Sequence, residues 1–479
     1  MTLALRDYQS RTVDALRSLC SRGKRRVLTV AMTGSGKTVI FTRGVLAPAL
    51  SRGRRGLVLV HRKELLEQTA DKLTACGVPA VSIIRADDPR YDPECPVHVA
   101  MIETLLARGL WPGADVVVAD ECHHYTGNSW AAFRDHYQSA IVLGFTATPA
   151  TASGGVLEGW DALVVATTYR QLIAAGHLVP LEVFVPTGLK KRMRGAIAMD
   201  PADAYTTYSR GRPGIIFAAS VAEADACAAE LCVRGVRAVS VVGERPGERD
   251  AGIAAFRAGS VDVLTSVGCL TEGFDAPRAK VAVVARGCVN VATLIQIAGR
   301  VLRPDGSDRA TLVDCAGATI EHGHPCADRE YSIAPGSTPI SAHSMLRALW
   351  QCGSCGWIGT QRPSGPCPFC GADVPARPGL ELKPRAFARM VAWTCHECGQ
   401  EHYCTPLTCS QCGAETPRLA RAGRDTDEQR VEYLAGQLAM CAAKGWNPFA
   451  ARHRYAAKYG SAPSQAEWSA ARAQVTHAP

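Results

Sequence analysis

Four groups of residues in this 479-residue chain have types and spacings that could do chemistry. The first follows the apolar run 27–32, where Thr33, Gly34, Ser35, Gly36, Lys37 and Thr38 stand in a row ahead of another apolar stretch. Gly34 and Gly36 let the backbone curl so that successive N–H groups converge on phosphate oxygens. A helix starting near Lys37 adds the positive end of its dipole. In such a loop Lys37 reaches the β- and γ-phosphates and the Thr38 hydroxyl binds Mg2+. The strict pattern begins with glycine, and Ala31 holds that place here.

The second group is Asp120-Glu121-Cys122-His123-His124, at the end of the run VVVAD. It can be read as a transition-metal nest or as two carboxylates presented to a magnesium nucleotide. Adjacent residues on one turn rarely close a tetrahedron, and zinc sites typically use spaced pairs. The reading is therefore a nucleotide site, with Asp120 at the carboxyl end of a strand holding Mg2+ and Glu121 polarising the attacking water. The third group, Arg300 and Arg303 beside Gln296 and Gly299, is spaced so that both guanidinium groups can face one cleft from a helix. A γ-phosphoryl transition state spreads negative charge over three oxygens, and guanidinium groups arriving from outside the phosphate loop are what that charge asks for.

The fourth group is the cysteines. Nine of the twenty lie between Cys352 and Cys412. Cys352, Cys355, Cys367 and Cys370 form two CxxC pairs, and Cys395, Cys398, Cys409 and Cys412 form two more, with glycine after the second cysteine of each pair. This spacing predicts two tetrahedral four-thiolate Zn2+ sites, with iron in a rubredoxin-like site as the alternative. Cys404 is left over, and His396 and His402 are alternative ligands or, more commonly for such positions, bystanders. The ribbons either staple a segment too small for its own core or dock nucleic acid or protein; the spacing serves both.

The elements that must position these groups are legible as short runs rich in valine, isoleucine and leucine. RRVLTVAM, GLVLVH, VHVAMI, ADVVVAD and AIVLGFTA alternate with helical stretches over residues 24–150. The pattern pauses over about 151–210, which contains KKRMRG, and resumes with PGIIFAAS, VRAVSVVGE, VDVLTSVG, KVAVVARG and ATLVDCAG. Such alternation predicts two α/β lobes, each a parallel sheet with helices on both faces. From about 424 the chain reads as short helices. There Arg452, Arg454 and Lys458 interleave with Trp446, Phe449, Tyr455 and Tyr459, which suits either nucleic-acid stacking or, more commonly, an amphipathic helix packed on the ribbons.

Taken together, these residues resemble a superfamily 2 helicase over most of residues 1–304. LRDYQSRTVDAL resembles the segment ahead of the phosphate loop, which implies that Gln9 reads adenine. MTGSGKT resembles the first motif, and LVLVHRKELLEQ is similar to the nucleic-acid-contacting motif that follows. DECHH resembles the DEAD/DEAH box, with Cys122 where most relatives carry alanine and His123 at the histidine of the DEAH form. GFTATP at 144–149 resembles the motif that couples hydrolysis to movement. In the second lobe IIFAAS resembles motif IV. SVGCLTEGFDAP at 266–277 resembles motif V, which brings Gly273 and Asp275 to the nucleotide. QIAGRVLRP at 296–304 resembles motif VI, which makes Gln296, Arg300 and Arg303 catalytic alongside Lys37, Asp120 and Glu121. Within the superfamily, TEGFD and the spacing are most similar to the branch of type III restriction translocating subunits, excision-repair helicases and phage DEAD-like helicases. The helical tail also resembles tails of the phage type, which suggests a phage or bacterial origin.

The resemblance implies an α/β chain of two tandem RecA-like lobes, followed by small cysteine-rich zinc ribbons and a short helical tail. The expected organisation is an ATP-binding lobe at 1–165, a linker at 166–210, a C-terminal helicase lobe at 211–335, ribbons at 345–376 and 390–418, and the tail at 424–479. The expected activity is an ATP-dependent helicase or translocase acting on DNA; an RNA helicase, or an ATPase switch that recruits a nuclease without unwinding, are the alternatives. A net charge of +9 leans towards a polyanionic partner. A replication, repair or nuclease protein is the expected protein partner, because no nuclease or methyltransferase constellation is evident in the chain itself. No apolar run reaches the ~18 residues of a membrane span and no secretory leader is visible, so a reducing cytoplasm is expected, with no membrane partner.

Overall fold

The computed structural model describes residues 4–476 except 79, 87, 152–153, 187–196, 272–276, 288–290, 305, 307–308, 343–349, 360–362, 374–392, 395–400, 403–426, 444–450 and 452–462. The chain forms two compact units, Met1–Glu415 and Thr416–Pro479.

In the first lobe the described strands are β1 (Arg26–Ala31), β2 (Gly56–Val60), β3 (Ser82–Ile84), β4 (Val97–Met101), β5 (Val116–Asp120), β6 (Ile141–Thr146) and β7 (Ala162–Thr167). They lie in the order β3-β4-β2-β5-β6-β1-β7, and every pairing is parallel. Helices cover both faces, so β2 and β5 are buried at every residue. That double burial is why they read as unbroken apolar runs rather than as an in–out alternation. Because all the strands run one way, the carboxyl ends of β1, β5 and β6 open at the same edge. Met32–Thr38, Asp120–His124 and Thr146–Thr148 are brought together there.

The second lobe contains β8 (Leu181–Phe184), β9 (Gly214–Phe217), β10 (Ala238–Ser240), β11 (Val263–Ser266), β12 (Val281–Val284) and β13 (Ala310–Asp314), all parallel. β14 (Arg329–Tyr331) and β15 (Ile340–Ala342) form a separate antiparallel pair. The sheet then continues, in the order β10-β11-β9-β12-β13-β8-β17-β16, into an antiparallel hairpin made of β16 (Trp350–Gln351) and β17 (Trp357–Gly359). The α/β class with two parallel-sheet lobes is therefore as the sequence indicates.

Two details differ from the sequence reading. Residues 166–210 do more than link, since β8 is a strand of the second sheet and the helix Pro201–Tyr208 packs on it. The first cysteine hairpin is not a free-standing ribbon, because β17 pairs along the edge of β8. Val185 N–H donates to Gly356 O at 2.9 Å, Gln351 Nε2 donates to Val185 O at 2.8 Å, and the Phe369 ring meets Phe184 edge-on at 4.4 Å. A Cβ at Gly356 would fall 2.2 Å from Val185 O, and its φ is +71°, so this close approach needs glycine.

In the second unit the helices Asp427–Ala443 and Gln465–Thr476 pack through Leu434, Leu438, Cys441 and Ala471. The aromatic and basic residues of the tail, Trp446, Phe449, Arg452, Arg454, Tyr455, Lys458 and Tyr459, lie outside the described residues. Among the described residues no helix is long and apolar enough to cross a membrane.

Candidate active site

The loop after β1 turns on Gly34 (φ +85°) and Gly36 (φ +75°), both in the left-handed region that side chains disfavour. A Cβ at Gly34 would stand 2.8 Å from Leu178 Cδ2, and one at Gly36 would stand 2.9 Å from Gln9 Nε2. Ala31, in place of the usual first glycine, is the last residue of β1 and has no positive φ, so alanine fits. The helix begins at Lys37 and widens to π geometry over Ile40–Leu46. Behind the loop, the Tyr8 hydroxyl and Gln9 Nε2 both donate to Ser35 O, at 2.5 Å and 3.1 Å, while Gln9 Oε1 accepts from Arg6 N–H at 2.9 Å. The helix Asp7–Ser21 thus braces the loop from its N-terminus.

Asp120 ends β5 and is 5% exposed. Glu121 follows with φ +46°, a left-handed backbone on a residue that is not glycine, and it turns its carboxylate to an ion pair with Lys37. Glu121 N–H donates to Asp120 Oδ1 at 3.0 Å. Burial pushes the Asp120 carboxyl up to about 6, with the Lys37 charge pulling against that and Glu121 reinforcing it. For Lys37 burial works against the ammonium, but the Glu121 and Asp120 carboxylates outweigh it and its pKa is raised. Cys122 is buried, and burial holds its thiol well above the usual range. The rings of His123 and His124 lie 4.2 Å apart. Among the described residues the sole set of three or more metal-binding side chains with converging atoms is Cys352, Cys355, Cys367 and Cys370.

From the second lobe, the helix Val291–Gly299 points its C-terminal end at the phosphate loop. The sequence reading put Arg300 and Arg303 on this helix. It ends at Gly299 instead, and the chain tightens, with Arg300 N–H donating to Ile297 O at 3.1 Å, before Pro304 ends the turn. Gln296 is 5% exposed. Its Nε2 donates to Thr148 Oγ1 at 3.4 Å and lies 3.4 Å from His123 Nε2, while His123 Nδ1 shares a 2.9 Å hydrogen bond with Thr146 Oγ1. Arg300 Nε donates to Thr271 O at 2.8 Å. Burial lowers the pKa of Arg303.

Between the lobes lies a cavity of about 400 Å³, within the range of ligand sites. Thr33, Gly34, Gly36, Lys37, Thr38, Asp120 and Glu121 line it from the first lobe, and Arg300 and Arg303 from the second. Ser35 and Gln9 do not line it; both support the loop from behind. Gln296 sits at the seam one helical turn before Arg300. Gly273 and Asp275 lie outside the described residues. The cavity wall also contains Arg6, Gln68, Lys72 and His177, which sequence reasoning missed. Leu65, Gln68 and Lys72 follow helical spacing within the helix Lys63–Ala75, a signal that could have found them. Burial lowers the pKa of Lys72, against a pull from Asp120. His177 carries no such signal. A second cavity of about 390 Å³ lies beside the cysteine hairpin, but there the Glu182–Arg309 ion pair (2.7 Å) faces Trp357 and Phe369, with no phosphate-binding loop.

The four Sγ atoms of Cys352, Cys355, Cys367 and Cys370 lie within 4.8 Å of one another, with Cys352–Cys370 at 3.7 Å and Cys355–Cys367 at 3.8 Å. A tetrahedron of thiolates at ~2.3 Å from zinc has edges of about 3.8 Å, so the set fits that ion. The N–H groups of Ser354 and Cys355 point at the Cys352 sulfur, and those of Phe369 and Cys370 point at Cys367, as two matching knuckles. Cys395, Cys398, Cys409 and Cys412, with Cys404 and His396, lie outside the described residues; a two-residue antiparallel pairing of Trp393–Thr394 with Glu401–His402 is described there.

The lobes approach closely at Gly299. A Cβ there would stand 2.5 Å from Thr33 Cβ and 2.6 Å from the Tyr169 hydroxyl oxygen. Gly299→Ala is therefore expected to destabilise the chain by about 1–3 kcal/mol through overpacking at the seam. Urea denaturation measures this, and an unchanged midpoint would mean that the lobes do not touch here.

Residues 2–151 match the family described as Type III restriction enzyme, res subunit, and residues 200–305 match the Helicase conserved C-terminal domain. The chain is similar to a 51.5 kDa protein of Lactococcus phage (isolate 7-9), with 26% identity over 364 residues covering 71% of this chain and 76% of that protein. It is also similar to a candidate ATP-dependent helicase of Saccharomyces cerevisiae, IRC3, with 27% identity over 372 residues covering 66% of this chain; the match spans about half of the yeast protein, 52%. In fold it is similar to a fragment of a candidate HsdR subunit of a type I restriction enzyme from Vibrio vulnificus YJ016, at a TM-score of 0.54 and 22% identity, covering 66% of this chain and 65% of that one. With a restriction-helicase domain over the first lobe and a helicase C-terminal domain over the second, on either side of one cleft, the chain belongs to the superfamily 2 DEAD-like helicases.

Proposed function

We propose that the chain is an ATP-driven helicase or translocase acting on DNA, and that ATP is hydrolysed at the seam between the lobes. The observation that carries this reading is the shared cavity, in which Lys37, Asp120 and Glu121 face Arg300 and Arg303 from the opposite lobe. On this reading Lys37 leaves Glu121 for the β- and γ-phosphates when nucleotide enters. The freed Glu121 then orients the attacking water and takes its proton. Thr38 and Asp120 would hold Mg2+, which supplies charge neutralisation on the phosphates. Arg300 and Arg303 stabilise the charge that develops on the γ-phosphoryl oxygens. Gln296, bound to Thr148 and close to His123, registers whether the lobes are closed. ATP joins the lobes, hydrolysis releases them, and repeated closure moves the chain along a strand.

DNA rather than RNA is favoured by the restriction-subunit family matched over the first lobe and, weakly, by the net charge of +9. The four-thiolate sets read as Zn2+ sites, and thiolates of that kind persist in a reducing cytoplasm.

The test is ATP turnover with single-stranded DNA, duplex DNA and RNA, on wild type and Lys37→Ala. DNA is expected to stimulate wild type, and Lys37→Ala is expected to be inactive on all three. Stimulation by RNA alone would reassign the substrate, and no stimulation by any polynucleotide would remove the motor. In the same assay Arg300→Ala should lose about a thousandfold or more in kcat, as expected for a transition-state arginine, while binding an ATP analogue nearly as well as wild type. Wild-type turnover in that variant would take Arg300 out of the site.

The raised pKa of Asp120 sets a pH dependence. Its ionised form binds the cation, so kcat/KM for ATP should fall as pH drops through about 6, well above the ordinary carboxylate range. The profile is measured with magnesium in excess, and an acid limb centred near ~4, the ordinary carboxylate value, would contradict the assignment. Metal analysis of the purified chain should find two zinc ions per chain, one for each set of four cysteines. One zinc or fewer would defeat the second site.

A further inference from the structure

His124, the last residue of the DECHH turn, has no role in the nucleotide site described above. It does not line the cavity, and it is exposed. Yet its ring lies against two others. The His61 ring lies 4.0 Å from it at an interplanar angle of 29°, stacked, and the His123 ring lies 4.2 Å away at 39°. Three imidazoles therefore form a continuous file along the edge of the first sheet, from the residue after β2 to the turn after β5.

Both ends of that file reach the second lobe. At one end His123 faces Gln296, at 3.4 Å. At the other, Arg62, next to His61, donates from Nη1 to Cys269 O at 3.1 Å. Two residues further along, Thr271 O accepts from Arg300 Nε at 2.8 Å. Gln296 and Arg300 lie one helical turn apart, so the contacts close a circuit. It runs from Gln296 through the three rings to Arg62, across to the 269–271 segment, and back through Arg300. Each crossing point between the lobes is thus tied to the other by two routes, one through the neighbouring rings and one through the arginine at the nucleotide cavity.

We propose that His124 is a positioning residue, a strut between His61 and His123 that keeps the two lobe crossings in register and so sets the approach of Gln296 and Arg300 to the nucleotide. The inference rests on the reading of the seam as the site of ATP hydrolysis. What the strut supplies is a flat ring of the right thickness rather than a proton or a charge. A ring that stacks equally well should therefore replace it, and a side chain without a ring should not. Its removal should slow the chemical step while leaving nucleotide affinity alone, because His124 is not among the residues that line the cavity.

The experiment compares ATP hydrolysis by the full chain in wild type, His124→Ala and His124→Phe, each with and without DNA. His124→Ala should lower kcat about tenfold, equal to about 1.4 kcal/mol in the barrier, with KM for ATP within about twofold of wild type. His124→Phe should recover most of that loss. In a double-mutant cycle, His61→Ala added to His124→Ala should cost little more, because both substitutions break the same file. Wild-type kcat in His124→Ala, a His124→Phe variant as slow as the alanine, a rise in KM at unchanged kcat, or fully additive losses in the cycle would each overturn the strut. A wild type whose turnover ignores DNA overturns the motor reading instead. The comparison of His124 variants on basal turnover still decides the strut.

Discussion

Two carboxylates and one ammonium buried side by side set the terms for everything around the cavity. Asp120 and Glu121 are consecutive, and each would be costly alone in a low-dielectric cleft. Lys37 makes the pair tolerable, and the price is a left-handed backbone at Glu121, a strain of about 1–3 kcal/mol by the usual scale for such residues. The sheet over-determines that strain. β5 lies between β2 and β6, is buried at every position, and cannot shift to relax the turn that follows it. The balance is also provisional. A magnesium triphosphate brings a cation for the acids and anions for the lysine, so each member of the cluster has a better partner waiting in the ligand than in its neighbour.

The second sheet solves a different problem with the cysteine hairpin. β8 would otherwise expose a free edge with unpaired N–H and C=O groups, which invites pairing with other chains. β17 covers it antiparallel, but β17 is three residues long and β16 only two, far too short to hold themselves in place. A metal ion held by Cys352, Cys355, Cys367 and Cys370 would close the loops on either side of the hairpin and let so few ladder bonds suffice. Phe369 on Phe184 and the Tyr208 hydroxyl on Cys355 O, at 3.1 Å, then fix the hairpin to the lobe rather than to itself. The thiolate set acts here as part of the second lobe's architecture.

How much of this could be read from the sequence depended on where each feature keeps its information. The doubly buried strands β1, β2, β4, β5 and β6 announce themselves, because burial on two faces leaves room for little but valine, leucine and isoleucine. β7 is as apolar as any of them, yet it follows the glycine- and alanine-rich stretch 150–159 with no helix between, and the alternation that marks a βα unit is lost. β8 and the hairpin strands are two to four residues long, below the length at which a period can be counted. Within the site, the phosphate loop and the acids are local in sequence, so their spacing carries the chemistry. The coming together of Lys37 with Arg300 and Arg303 is carried by motif order instead. Arg6, Lys72 and His177 reach the cavity from a helix start, a helix face and a connecting loop, and residue type alone says nothing about that.

Two of the polar contacts across the seam are long, and one close approach is made by a glycine. Gln296 meets Thr148 and His123 at 3.4 Å each, long for hydrogen bonds and worth little in water's presence. Gly299 brings the backbones close without adding a side chain that would lock them. Arg300 and Arg303 line the cavity, and Arg300 Nε donates to Thr271 O within its own lobe. Closure with a triphosphate would add charge-assisted bonds from both sides of the same cavity, roughly twice as strong as neutral ones.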